Sequence, residues 1–159
     1  MTLCRHFAAV LYGLTFAAAP VVQAQITLGA NELPIHDAAR LGKAAEVERI
    51  LKADPAMRDA RNPMGATPLH LAATNPDIGP LKALLAAGAD ARARDKEDLT
   101  PLHMAAYTDK PEHARLLLEA GADVDAKSAG GRTPLSLARK ARADKTAGII
   151  SLWVLKGCQ

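Results

Sequence analysis

The chain has 159 residues, 49% of them hydrophobic, with 20 basic and 17 acidic side chains and a formal net charge of +3. That balance is too even for nucleic-acid binding to follow from bulk charge. The length allows one domain with a real core and not two comfortable ones.

Residues 1–24 read as a secretory signal peptide. Arg5 supplies a positive start, Phe7 to Ala19 is an apolar stretch broken by Gly13 and Thr15, and Val22-Gln23-Ala24 offers small residues for cleavage after Ala24. A spanning helix needs about 20 predominantly apolar residues, and Pro20 cuts this run short. The expectation is an exported chain with no stable membrane insertion after cleavage, periplasmic first and secreted as the alternative. Cys4 leaves with the signal, so Cys158 is the one mature cysteine and no internal disulfide forms. A frayed terminal thiol and an intermolecular disulfide both remain open for it.

From Asn31 onward the chain repeats itself. Thr67-Pro68-Leu69-His70, Thr100-Pro101-Leu102-His103 and Thr133-Pro134-Leu135-Ser136 are copies of one start, and Leu33-Pro34-Ile35-His36 is a degenerate fourth. The match continues through Ala38-Ala39, Ala72-Ala73 and Ala105-Ala106, then Leu84-Leu85 and Leu117-Leu118, then Gly88-Ala89-Asp90 and Gly121-Ala122-Asp123. Thr67 is a good helix N-cap, and Pro68 is already set at a helical φ. Leu69, Ala72 and Ala73 follow at helical spacing, the alanines leaving room for a second helix from near Pro80. Leu81, Leu84 and Leu85 form its apolar stripe, and Gly88 supplies a left-handed stop.

The remaining units vary this plan. The first keeps Gly42, Val47, Ile50 and Leu51 but has Leu33 for the capping Thr and Asp54-Pro55 for the terminal Gly. The last has Arg139 for the second alanine and a helix apolar in a shifted register through Ile149, Ile150, Leu152 and Trp153, which reads as a C-terminal cap. Pro76, Asp98 and Asp109 stand at turn positions where glycine is usual, so local departures are expected there.

A period of 33 carrying these residues resembles the ankyrin repeat. The resemblance implies an all-α ankyrin-repeat solenoid of about four stacked helix-turn-helix units with degenerate ends, near 31–63, 64–96, 97–129 and 130–159 in a domain from 25 to 159. It also implies a binding face made of the turn residues before each Thr and the pair after each Ala-Ala. In this sequence those positions are Arg40 and Leu41; Arg61, Met64, Ala66, Thr74 and Asn75; Arg94, Lys96, Glu97, Leu99, Tyr107 and Thr108; and, in the degraded last unit, Lys127, Arg132 and Lys140. Seven are basic and one is acidic, which predicts a positive face for an acidic partner. Tyr107 is the expected anchor, gripped with Arg61, Arg94 and Lys96 around it, against the plainer reading of a half-buried groove filler. Trp153 is expected to pack beneath the cap.

His36, His70 and His103 recur in register. Neighbouring helices pack about 8–10 Å apart, whereas zinc ligands lie about 2 Å from the ion, so adjacent members of this column cannot share a metal. The resemblance implies that this histidine bonds backbone and the neighbouring Thr. His113 stands alone on a second helix and is expected to be solvated.

The sequence has no glycine-rich phosphate loop and no Ser or Cys in a nucleophile motif. The expectation is therefore a non-catalytic module, a monomer without cofactor or metal, that binds another exported protein. The chain resembles small exported bacterial ankyrin proteins of the accessory or protective kind. A secreted effector acting on a host protein is one alternative, and an enzyme of unrecognised type another; nucleic acid is not expected, because the basic face lacks interleaved aromatics.

Overall fold

The computed structural model describes residues 32–157. Residues 1–24, expected to be a signal peptide, and both cysteines lie outside the described residues. Among the described residues, eight α-helices form four pairs: α1 (Pro34–Leu41) with α2 (Ala44–Ala53), α3 (Pro68–Ala72) with α4 (Gly79–Ala86), α5 (Pro101–Tyr107) with α6 (Pro111–Glu119), and α7 (Pro134–Ala141) with α8 (Asp144–Leu155). A short 3-10 helix, Pro55–Asp59, follows α2. Its start is capped by Asp54, whose carboxylate accepts from the Ala56 N–H at 3.0 Å.

Each first helix starts as its sequence demands, with an extended residue followed by proline in the first turn, where a missing N–H costs nothing. The threonine hydroxyl behaves differently in different units. In the last it is an ordinary N-cap, accepting from Ser136 N–H at 3.2 Å. In the second and third it turns to the histidine three residues on, with Thr67 Oγ1 and Thr100 Oγ1 each 2.9 Å from imidazole Nδ1. Serine at 136 has no ring nitrogen to offer, so Thr133 reverts to the backbone.

The first helices stack in one row, α1 on α3 on α5 on α7, while α2 packs on α4 and α6 on α8. The alanines make this possible. Ala39, Ala72, Ala73, Ala105 and Ala106 are completely buried, and Leu69, Leu81, Leu84, Leu102 and Leu117 fill the space between helix rows. Together with Ile35, Val47 and Ile150 they form a core continuous through all four units, as a stack requires when no single unit buries its own apolar face. No helix among the described residues is long and apolar enough to cross a membrane.

The turns between units are built alike. Asn62, Asp95 and Ser128, one period apart, each open a turn whose first N–H donates to a carbonyl four residues on: Ala66, Leu99 and Arg132. The Asn62 and Asp95 side-chain oxygens also accept from the amides two and four residues ahead. Such a turn needs one left-handed residue. Gly65 and Gly131 take it at φ 77° and 71°, and Asp98 takes it at 57° in place of glycine. The expected departure at Asp98 is therefore absent, because aspartate tolerates this conformation better than most non-glycine residues. Adjacent turns are tied together by Lys96 N–H to Met64 O at 3.0 Å and Ala129 N–H to Glu97 O at 2.8 Å.

Of Asp109 and Pro76, the turn residues within units, only Pro76 departs. Asp109 is left-handed at φ 50° and Arg142 at 59°, but proline cannot adopt a positive φ. At Pro76 the chain leaves the helix early, so α3 ends at Ala72 and a loop held by Asn75 and Asp77 side chains leads into α4.

Candidate functional site

The residues expected on the binding face divide sharply in the structure. Asn75 is only 3% exposed, and its Nδ2 donates to Ala39 O at 3.0 Å and Gly42 O at 3.1 Å. It is not a surface contact. The early end of α3 carries Asn75 inward, where it satisfies carbonyls that α1 leaves open at its C-terminus. Thr74 and Thr108 are half-buried, and each hydroxyl donates at 2.8 Å to a carbonyl of its own helix, Leu71 O and Met104 O. Ala66 is buried in the turn.

Arginines 61 and 94 face solvent, yet their guanidinium groups hold main chain. Arg61 Nη1 donates to Gly65 O at 2.7 Å and to Arg94 O at 2.6 Å; Arg94 Nη1 donates to Lys127 O at 2.8 Å. The step is one period each time, so these side chains staple successive turns. A second ladder runs parallel to it, Arg58 to Ala87 O at 3.2 Å and Arg92 to Gly121 O at 2.7 Å. Arg40 is also engaged, with Glu32 at 2.9 Å and Asp37 at 2.7 Å.

The histidine column is structural in each member. His36, His70 and His103 place Nε2 2.9–3.0 Å from the carbonyls of Ala60, Leu99 and Arg132 in the following turn. A carbonyl only accepts, so Nε2 carries the proton and Nδ1 is the acceptor. That Nδ1 receives the backbone N–H of Leu33, Thr67 or Thr100. Both nitrogens are occupied. Burial pushes the imidazoles of His70 and His103 below the ordinary histidine range, since a proton added at Nδ1 would be desolvated and set against an N–H.

His113 is buried, contrary to the expectation of a solvated side chain. The first turn of α6 packs against the Asn75–Asp77 loop of the preceding unit, and Nε2 lies there without a hydrogen-bond partner among the described residues. Burial, then nearby Lys110, lowers its pKa as well.

Tyr107 is 62% exposed at the end of α5. Its ring borders an open groove of about 490 Å³ between α5, α7 and the turn tips, floored by half-buried Leu99, Met104 and Leu137. Arg132 and, on the turn tip, the acidic Glu97 line this groove, and Lys140 extends its far end. Neither cation has a side-chain partner among the described residues, unlike the stapling arginines. The cations beside Tyr107 are therefore Arg132 and Lys140, not Arg61, Arg94 and Lys96. Lys96 is exposed on its turn beside Gly65, and Met64 and Leu41 are exposed at a turn tip and at the end of α1.

The charge itself is uneven along the stack. Between Lys127 and Lys156 stand seven basic side chains and one acidic, Asp144. Counting charge by unit would have found this in the sequence; pooling candidate positions hid it. A separate recess of about 450 Å³ lies between Trp153 and the 121–126 turn, but the arginines lining it, Arg92 and Arg94, are the stapling ones. Trp153 is half-buried against the core there.

The comparisons with known proteins agree with this architecture. Residues 64–96 match the family described as ankyrin repeat, and residues 84–138 match ankyrin repeats in many copies. Residues 64–138 are ankyrin repeats. No curated protein matches it. Ankyrin repeats are protein–protein interaction modules, generally without catalysis, and the carbonyl-bonded histidines and left-handed turns described above are how this ankyrin chain builds its stack.

Proposed function

We propose that this ankyrin-repeat protein binds an acidic exported protein through the groove around Tyr107. The carrying observation is the pairing of an apolar floor, Leu99, Met104 and Leu137, with two unpaired cations, Arg132 and Lys140, at an exposed aromatic ring. An apolar side chain in the groove would displace water, while carboxylates beside it would meet cations that pay no cost of breaking an existing ion pair. The excess of basic side chains in the last unit extends this attraction beyond the groove.

Residues 1–24 support export, so the partner belongs to the cell envelope, and an accessory or protective role toward an exported enzyme or toxin fits a module without chemistry of its own. The test is capture from a cell-envelope fraction with the purified protein as bait, comparing the wild type with Tyr107→Ala and Arg132→Glu. Capture that weakens with salt and is lost in both variants supports the reading. Equal capture by all three proteins would refute it. N-terminal sequencing of the protein recovered from cells tests export directly: a chain beginning at Gln25 supports it, and an intact Met1 overturns it.

A further inference from the structure

The groove beside Tyr107 carries charge of both signs, and the two signs sit on different units. Met64, Glu97 and Gly130 are one period apart at the turn tips, and Thr74, Tyr107 and Lys140 are one period apart where the first helices end. The third unit therefore brings a carboxylate to the groove at its tip. The fourth brings Arg132 and Lys140, and its glycine tip leaves the wall low on that side. Glu97, Arg132 and Lys140 are all exposed, and none has an ion-pair partner among the described residues. The neighbours of Glu97 are committed elsewhere. Lys96 lays its stem beside Gly65 in the preceding turn, and Asp98 pairs with Arg94 at 3.8 Å.

We infer that the groove takes an extended segment of the partner with opposite charges at its two ends: a basic side chain over Glu97, an apolar side chain on the floor, and a carboxylate over Arg132 and Lys140. This rests on the Tyr107 groove being the binding site and adds Glu97 as the residue that determines specificity within it. A segment acidic throughout would set a carboxylate against Glu97, and that like-charge contact costs affinity. The cations of the last unit attract an acidic partner, and the carboxylate at the tip selects which part of it can seat. Neighbouring helices of the stack lie about 8–10 Å apart, less than the about 10–12 Å breadth of a helix with its side chains, so an extended segment is the form that bridges the two units. An extended chain advances about 3.3 Å per residue. The base and the acid are then about three residues apart, with the apolar residue between them.

The test is selection of a random heptapeptide library, displayed on phage, against the purified protein, with Tyr107→Ala and Glu97→Lys as parallel baits. Peptides that the wild type enriches and Tyr107→Ala loses should carry a base and an acid about three residues apart around an apolar residue, in either chain direction. Glu97→Lys keeps the two hydrogen bonds of the turn, which residue 97 makes through its main-chain N–H and carbonyl, so its melting temperature should not move. Against that bait the base of the enriched peptides should give way to a second acid. One enriched peptide, synthesised and titrated, should bind Glu97→Lys about fivefold more weakly than the wild type, and the same peptide with glutamate in place of its base should reverse the order. Peptides held equally by the wild type and Tyr107→Ala, or a library with no enrichment, would overturn the groove as the site and this inference with it. Tyr107-dependent peptides that are acidic at both ends, or that are indifferent to Glu97→Lys, would overturn this inference alone.

Discussion

The Nε2 of His70 donates to the carbonyl of Leu99, 3.0 Å away and 29 residues further along the chain. One side chain thereby joins the start of its own helix, through Thr67, to the turn that introduces the next unit. His103 repeats the arrangement with Thr100 and Arg132. These bonds tie the stack laterally in addition to the leucine packing.

Removing such a histidine leaves a half-buried carbonyl without its donor and a small void. His70→Ala should therefore cost about 2–4 kcal/mol, measured by urea unfolding. A loss under about 0.5 kcal/mol would mean that the column contributes little.

The lowered pKa values of His70, His103 and His113 set the pH dependence. The unfolded chain takes up protons at an ordinary histidine pKa near 6.5, whereas the folded chain resists them to lower pH. Stability is therefore complete above about pH 6.5 and declines as pH falls below that value toward the folded pKa values. Urea midpoints between pH 8 and pH 5 should fall, and the fall should be shallower in His103→Gln. A midpoint that holds steady across this range would contradict the assignment.

Arg61 illustrates the difference between an exposed residue and a free one. Arg61→Ala loses two carbonyl bonds across adjacent turns and should destabilise by about 1 kcal/mol, while leaving partner capture intact. Arg132→Ala should do the reverse, sparing the melting temperature and weakening capture. Exchanged phenotypes would show that the stapling geometry does not govern either residue.

The left-handed turn positions give a paired test. At Gly65 an added Cβ would lie 3.1 Å from Lys96 Cγ and backbone N at φ 77°, so Gly65→Ala should destabilise by about 1–2 kcal/mol. At Asp98 the same conformation already carries a side chain, and Asp98→Gly should be neutral or stabilising by up to about 1 kcal/mol. Thermal melts of the two variants should move in opposite directions, or Asp98→Gly should stand still.

Asp109 supplies the cap that α8 lacks on its own strand of sequence. Its carboxylate accepts from Thr146 N–H at 3.1 Å and the Thr146 hydroxyl at 3.0 Å, from the preceding unit, while Ala143 at the N-cap has no side-chain bond to give. Asp109→Ala should cost about 1–2 kcal/mol, with hydrogen exchange accelerated chiefly in α8. Uniform acceleration along the whole chain would argue against a local cap.

The repeat period, the helix starts at Thr-Pro and the helix stops at Gly88 and Gly121 were all legible in the sequence. Each depends on the φ range of one residue or on its immediate neighbours. The histidine role came from the family resemblance, and the geometry agrees with it. The candidate face was legible only as a set of positions. Which of them are free was decided by atoms about 29–37 residues distant, and most of those atoms are backbone carbonyls. Carbonyls are present at every residue and leave no mark in the amino-acid pattern, so sequence could not separate Arg61 and Arg94, which hold them, from Arg132 and Lys140. Asn75 and His113 were misplaced for the same reason: packing between units buries them, and no local pattern records which unit surface a side chain will meet. Sequence alone determined the unit and its period; stacking decided which polar groups are consumed inside the protein and which remain for a partner, because hydrogen bonds between units form only once the units meet.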